Sequence, residues 1–196
     1  MSNSTKQAFF GPLIIISGPS GSGKSTLVKE LLKDKSMPLE VAISATTRTK
    51  RQFEVDGVDY FFWSKEMFQN EVAKGSFLEW AEVYGNYYGT LISEVDARRR
   101  RGAGVVLEID VQGAGQIRNT GSVIQSIFVV PPDMEACEAR LRSRGTETEE
   151  TLVKRLASAK HEMEQAVEYD FKVVNDDLEK AVGKIKDFVR PLFLER

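Results

Sequence analysis

Eight residues near the start of the chain, Gly18-Pro-Ser-Gly-Ser-Gly-Lys-Ser25, satisfy the spacing G-x-x-x-x-G-K-[ST] in full. Glycine at Gly18, Gly21 and Gly23, with Pro19, Ser20 and Ser22 between them, lets a backbone wrap an anion with its N–H groups turned inward. A helix beginning at Lys24-Ser25-Thr26 adds its positive end. Lys24 carries a cation suited to the β- and γ-phosphates of a nucleoside triphosphate, and the Ser25 hydroxyl can ligate Mg²⁺. The bland alternative is a chance glycine-rich turn. The apolar run before the loop and the helical pattern after it argue against that.

Magnesium needs a carboxylate near such a loop. Asp110 ends an apolar run, Val105-Val-Leu-Glu-Ile-Asp110, where acidic residues of this kind sit. Glu108 and Asp110 are two apart, which on a strand points both to one side. Buried like charges are costly without a cation or donors. Ser25 and Asp110 are therefore the expected metal pair, against the alternative of a solvated pair of carboxylates at a strand end.

The elements that must position these groups follow from periodicity. Leu13-Ile-Ile-Ile16 is β-branched and continuously apolar, as suits a strand buried on both faces of a parallel sheet. Lys24 to Lys33 reads as a helix with Leu27, Val28, Leu31 and Leu32 on one face. Residues 105–110, 126–130 and 171–174 read as three more strands, and 178–188 as a final helix. Alternating strands and helices predict an α/β fold with three layers around a central parallel sheet. Residues 39–96 are rich in aromatics and short β-like pieces, and predict an inserted domain of mixed α+β structure. Residues 133–165 are helical and dense in charge, and predict a mobile lid. The core is then 9–38, 97–132 and 166–196, after a polar tail at 1–8 expected to be disordered.

Further motifs stand in order along the chain: Ser44-Ala-Thr-Thr-Arg-Thr-Lys-Arg51, Glu54-Val-Asp-Gly-Val-Asp-Tyr60, Phe77-Leu-Glu-Trp-Ala81 and Gly85-Asn-Tyr-Tyr-Gly89. Leu107-Glu-Ile-Asp110 with Gln112-Gly113, Arg144-Gly-Thr-Glu-Thr148 and Val174-Asn-Asp-Asp177 complete them. Together they make the chain resemble the guanylate kinases, P-loop nucleoside monophosphate kinases, over about residues 11–190. The resemblance implies that Arg48, Arg51, Tyr60 and Tyr88 hold the GMP phosphate, and that Ser44, Glu79 and Thr90 read the guanine. It places Glu108 and Asp110 near GMP and the metal, and Arg140 and Arg155 at the transferring phosphoryl group, with Lys24 and Arg48 also catalytic. Arg144 and Asn175 are expected to border the adenine of ATP. Some relatives carry serine in place of Thr90 and aspartate in place of Glu108; both exchanges keep the functional group.

The chemistry of that implied set is coherent. Arginine forks and phenol hydroxyls match a doubly charged phosphate. A carboxylate takes guanine N1–H and N2–H₂ side by side, whereas adenine would turn an acceptor towards it. The nucleophile is a phosphate oxygen, already anionic, so the protein must supply alignment and charge neutralisation rather than a general base. The implied partners are ATP with Mg²⁺, and GMP. A kinase for another monophosphate is the first alternative; a non-catalytic protein-binding module of the same family is the second. The intact phosphate loop speaks against the module.

Composition adds bounds. Lys+Arg number 27 against 29 Asp+Glu, a net charge of −2, which gives no bulk reason to expect nucleic acid or an anionic membrane. Arg98-Arg-Arg-Arg101 is the sharpest basic run and reads as a solvated helix end. Arg142 is two residues from Arg140 and is expected to face solvent. The single cysteine, Cys137, reads as a small buried side chain, and the single histidine, His161, carries no role. A reducing, cytoplasmic setting is the expectation, and no signal for a particular oligomeric state is present.

Overall fold

The computed structural model describes residues 10–122, 124–143 and 148–194, so the expected tail at 1–8 and Arg144 lie outside the described residues. In chain order the first elements are β1 (Leu13–Ser17), α1 (Lys24–Leu31), β2 (Leu39–Val41), β3 (Ala45–Thr46), β4 (Phe61–Phe62) and α2 (Lys65–Ala73). Then come β5 (Phe77–Val83), β6 (Asn86–Leu91), α3 (Ile92–Arg99), β7 (Gly104–Glu108), α4 (Val111–Asn119) and β8 (Gln125–Val130). The chain closes with α5 (Met134–Ser143), α6 (Glu149–Glu164), β9 (Phe171–Val174) and α7 (Leu178–Val189).

Alternation along β1 explains the core. Ile14 and Ile16 face α1 and α7, among Leu27, Leu31, Val182 and Ile185. Leu13 and Ile15 face the opposite way, among Val95, Ala114 and Ile117 of α3 and α4. All four are buried, so the strand must be covered on both sides. The sheet is fully parallel in the order β2-β7-β1-β8-β9, with helices above and below. β1 is therefore central, and the phosphate loop leaves its carboxyl end.

A second sheet, ordered β4-β3-β6-β5, stands beside the first. β5 and β6 form a hairpin turned by Tyr84 and Gly85, both in the left-handed region at φ 50° and 77°. Its core is aromatic: the Phe68 ring stacks on Phe77 at 4.4 Å and on Tyr87 at 5.5 Å, and Trp63 meets Phe68 edge-on at 6.3 Å. Leu39–Val41 falls in the stretch expected to form this insert, yet it is the edge strand of the central sheet, with Leu39 opposite Gly104. The apolar side chains of Leu39 and Val41 pack on the α1–α7 side of the core, which decides the sheet they join.

The charged stretch after β8 is the helical pair α5–α6, joined by Cys137, Leu141, Leu152 and Ala159. Arg142 is not simply solvated. It pairs with Glu138 one turn away at 2.8 Å and takes Glu149 of α6 bidentately at 2.8 and 2.6 Å. The basic run is partly tied down. Arg98 bonds Glu94 at 2.6 Å, the Arg99 Nε donates to the Gly11 carbonyl at 2.7 Å, and Arg101 pairs with Glu40 at 3.0 Å. Arg98 and Arg99 fasten the end of α3 to the core, whereas Arg100 and Arg101 remain largely exposed, as a solvated helix end requires. Among the described residues no helix is long and apolar enough to cross a membrane.

Candidate functional site

The phosphate loop is braced from behind. Gly23 sits at φ 92°, and a Cβ there would lie 2.3 Å from Asn175 Nδ2, so only glycine fits. Asn175, which is buried, donates from that Nδ2 to the Ser22 carbonyl at 2.8 Å. Arg140 of α5 donates to the Ser22 and Asn175 carbonyls at 3.1 and 3.0 Å, and to Gly21 at 3.4 Å. The Cys137 thiol reaches the Ser20 carbonyl at 3.0 Å. The carbonyls of Ser20, Gly21 and Ser22 are turned towards these donors, and within the loop the Ser22 N–H donates to the Pro19 carbonyl at 3.1 Å. The Lys24 ammonium lies along the loop, donating to the carbonyls of Gly18 and of Pro19, the latter at 3.0 Å. Ser25 and Thr26 are exposed in the first turn of α1.

A second anion cradle lies in the inserted sheet. Arg48 and Arg51 converge on Glu54: the Arg48 guanidinium is bidentate at 2.9 and 2.7 Å, and the Arg51 backbone N–H donates at 2.8 Å. The Arg48 guanidinium lies over the Tyr60 ring at 5.5 Å, and the Tyr60 and Tyr88 rings meet edge-on at 6.1 Å. Burial holds the Tyr60 hydroxyl well above the usual phenol range, with the charge of Glu108 adding to it, so it stays a donor. The Arg51 guanidinium lies 3.9 Å from the same Glu54 carboxylate, so two guanidinium groups and two phenol rings gather in one cluster. Glu54 organises them, a role not read from the sequence although the residue stands inside a quoted motif.

The expected base readers form a row across three strands. Glu79 of β5 is opposite Thr90 of β6, and the β3–β6 register brings Ser44 alongside the same Thr90, with their hydroxyls 3.0 Å apart. Thr90 is fully buried and Glu79 is 4% exposed. Burial pushes the Glu79 carboxyl up to about 7; Thr90 hydrogen bonds oppose the shift, and Asp110 adds to it. A buried carboxyl whose neighbours are hydroxyls is costly to retain without a ligand.

Glu108 and Asp110 do not share a strand face. β7 stops at Glu108, and Asp110 is the N-cap of α4, its Oδ1 accepting from the Gly113 N–H at 2.8 Å. Burial raises the Asp110 carboxyl, against the Gly113 bond and the charge of Lys24. It is Glu108 that touches the loop: the Ser25 hydroxyl donates to Glu108 Oε1 at 2.5 Å. Glu162 of α6 also enters the site. Its carboxyl is raised to about 6 chiefly by burial, with Lys24 and Asp110 among its charged neighbours. The sequence signal was available, because Arg155, Ala159, Glu162 and Ala166 recur on one helix face. Arg155 itself lies 5.0 Å over the Tyr84 ring, joining α6 to the hairpin of the insert.

A glycine-rich loop at the carboxyl end of a central parallel strand, facing an arginine–tyrosine anion cradle, defines a P-loop α/β phosphotransferase. The sequence model described as guanylate kinase matches residues 11–192, and the chain belongs to the guanylate kinase family. It is 48% identical over 186 residues to a guanylate kinase of Neisseria gonorrhoeae, covering 95% of this chain and 90% of the relative. Against a guanylate kinase of Synechocystis it is 47% identical over 175 residues, covering 89% and 91%. The crystal structure of guanylate kinase from Anaplasma phagocytophilum superposes with a TM-score of 0.78 at 30% identity, covering 95% of this chain and 88% of that one.

Proposed function

We propose that the two cradles bind ATP and GMP and that the chain transfers the γ-phosphoryl group of ATP to GMP, giving ADP and GDP. The observation that carries this is Glu108, whose carboxylate accepts from Ser25 of the phosphate loop and lies close enough to Tyr60 to raise its phenol. One side chain links the donor cradle to the acceptor cradle, which in-line transfer between two phosphates requires.

The backbone of the phosphate loop and the Lys24 ammonium hold the β- and γ-phosphates. Arg48, Arg51, Tyr60 and Tyr88 hold the GMP phosphate, pre-set by Glu54. Glu79 takes the two guanine donors, and the Ser44 and Thr90 hydroxyls face O6. Arg155, and Arg140 through the loop it braces, neutralise charge as it develops; Asn175 borders the adenine side. The GMP phosphate oxygen attacks without prior loss of a proton. The Ser25 hydroxyl with the Glu108 and Asp110 carboxylates is an all-oxygen donor set that fits Mg²⁺. Bound there, Mg²⁺ supplies charge neutralisation on the phosphates.

The helical pair α5–α6 acts as a lid that excludes water, residues 39–96 carry the GMP site, and the remainder is the core. The near-neutral charge supports small-molecule nucleotides as partners rather than nucleic acid or membrane. The lone buried Cys137 fits a cytoplasmic enzyme. A coupled assay of ADP formation with ATP, Mg²⁺ and GMP, AMP, UMP or TMP tests the reading. Turnover with GMP alone is expected; equal turnover with another monophosphate would refute it.

A further inference from the structure

Glu79 sits on the inserted sheet and bonds Thr90 there, but the space its carboxyl fills and the brace on its strand come from α4 of the core. β5 lies along α4, and Gln116 of α4 exchanges two hydrogen bonds with the backbone of Trp80, the residue after Glu79. The Trp80 N–H donates to Gln116 Oε1 at 3.1 Å, and Gln116 Nε2 donates to the Trp80 carbonyl at 2.6 Å. That is the pairing a neighbouring strand would make, supplied by one side chain. One turn earlier on the same face stands Gly113. A Cβ there would lie 2.3 Å from Glu79 Oε2, 3.0 Å from its Cδ and 3.4 Å from Asp110 Oδ1. The Gly113 φ is outside the left-handed region, so its backbone does not require glycine. Glycine is also less favourable than alanine inside a helix. What the missing side chain provides is room, and the Glu79 carboxyl occupies it.

We propose that Gly113 and Gln116 are positioning residues for guanine recognition: Gly113 leaves the space in which the Glu79 carboxylate stands, and Gln116 locks the strand that carries it. Base selectivity is then set from α4, the helix capped by Asp110, so that the reading of the base and the phosphate chemistry share one rigid element. This deepens the reading of Glu79 as the guanine acceptor and rests on it.

The test is kcat/KM for GMP and for IMP, which keeps N1–H and O6 but lacks the 2-amino group. Wild type is compared with Gly113→Ala, Gln116→Ala and Glu79→Gln at saturating ATP. Gly113→Ala must push the carboxylate aside by about an ångström. The atoms that move are the end of a side chain and not backbone, so the helix remains. GMP use is expected to fall about tenfold or more, the GMP-to-IMP ratio to shrink towards that of Glu79→Gln, and the KM for ATP to stay as it was. Gln116→Ala, at an exposed position, is expected to raise the KM for GMP several-fold while kcat and the KM for ATP hold. Should Gly113→Ala fail to fold, Gln116→Ala decides. An unchanged GMP KM in Gln116→Ala, or an unchanged GMP-to-IMP ratio in a folded Gly113→Ala, overturns the proposal. If Glu79→Gln itself leaves the ratio unchanged, the fault lies in the reading of Glu79, and the two failures are told apart.

Discussion

Replacing Glu79 by glutamine keeps its size and removes its charge. The carboxylate offers the two guanine donors an acceptor each; the amide offers one acceptor and turns an NH₂ towards the other donor. A hydrogen bond to a charged group contributes about 1.5–3 kcal/mol, so kcat/KM for GMP should fall by roughly 10- to 150-fold. ATP binding, at the far cradle, should be unaffected. Adenine gains from the same change, because its N1 acceptor no longer meets a carboxylate, and the GMP-to-AMP ratio should narrow. The burial of Glu79 adds a signature in pH. In the free protein its carboxyl titrates at about 7, raised mainly by burial. GMP requires the ionised form, so affinity should rise as pH passes upward through that value and weaken below it. From pH 7 to 5.5 the ionised fraction drops from about one half to about one thirtieth, roughly fifteenfold. The ionisation of the GMP phosphate is common to wild type and Glu79→Gln, so dividing the two pH profiles isolates the carboxyl. Calorimetric Kd values for GMP from pH 5.5 to 8.5 give the profiles. A ratio of the two profiles that stays flat with pH, together with an unchanged GMP-to-AMP ratio, would refute the argument that Glu79 reads the base.

Lys24→Ala should lower kcat at least about 100-fold with little change in melting temperature, since the ammonium meets charge that grows in the transition state. Steady-state kinetics with a thermal melt check it, and more than a tenth of wild-type kcat would contradict it. Arg140→Ala removes the donors that hold the Ser22 and Asn175 carbonyls, and should lower kcat and raise the KM for ATP more than that for GMP. Arg142→Ala removes half-exposed ion pairs and should cost less than about 1 kcal/mol in a denaturant melt with kcat nearly unchanged. Equal damage from the two would refute the assignment of Arg140 to the loop. Chelating Mg²⁺ should stop turnover while calorimetry still registers GMP, held by Arg48, Arg51, Tyr60 and Tyr88; loss of that binding would mean that the metal bridges GMP.

What the sequence made legible was local. The phosphate loop is contiguous, and β1 announces its burial on both faces through four consecutive apolar residues, all of them in the core. The row Ser44–Thr90–Glu79 came only from family resemblance, because strand register joins residues 11 and 46 positions apart and leaves no periodic trace. Asp110 was misread for a local reason: alternation cannot tell the last residues of a strand from the cap of a helix that starts immediately after it. β2 was hidden for a different reason: at three residues it is too short for alternation to register. Glu54, Arg140 and Asn175 act through backbone carbonyls and through other side chains. Such partners are fixed by tertiary packing, and neither composition nor spacing encodes them.

The most direct measurement of the central claim follows the phosphoryl group itself. ATP labelled at the γ-phosphate is incubated with the protein, Mg²⁺ and GMP, and the products are separated. Label is expected in the β-phosphate of GDP, equal in amount to the ADP formed, and absent when AMP replaces GMP. Label released as inorganic phosphate, or GDP that stays unlabelled while ADP accumulates, would contradict phosphoryl transfer between the two cradles.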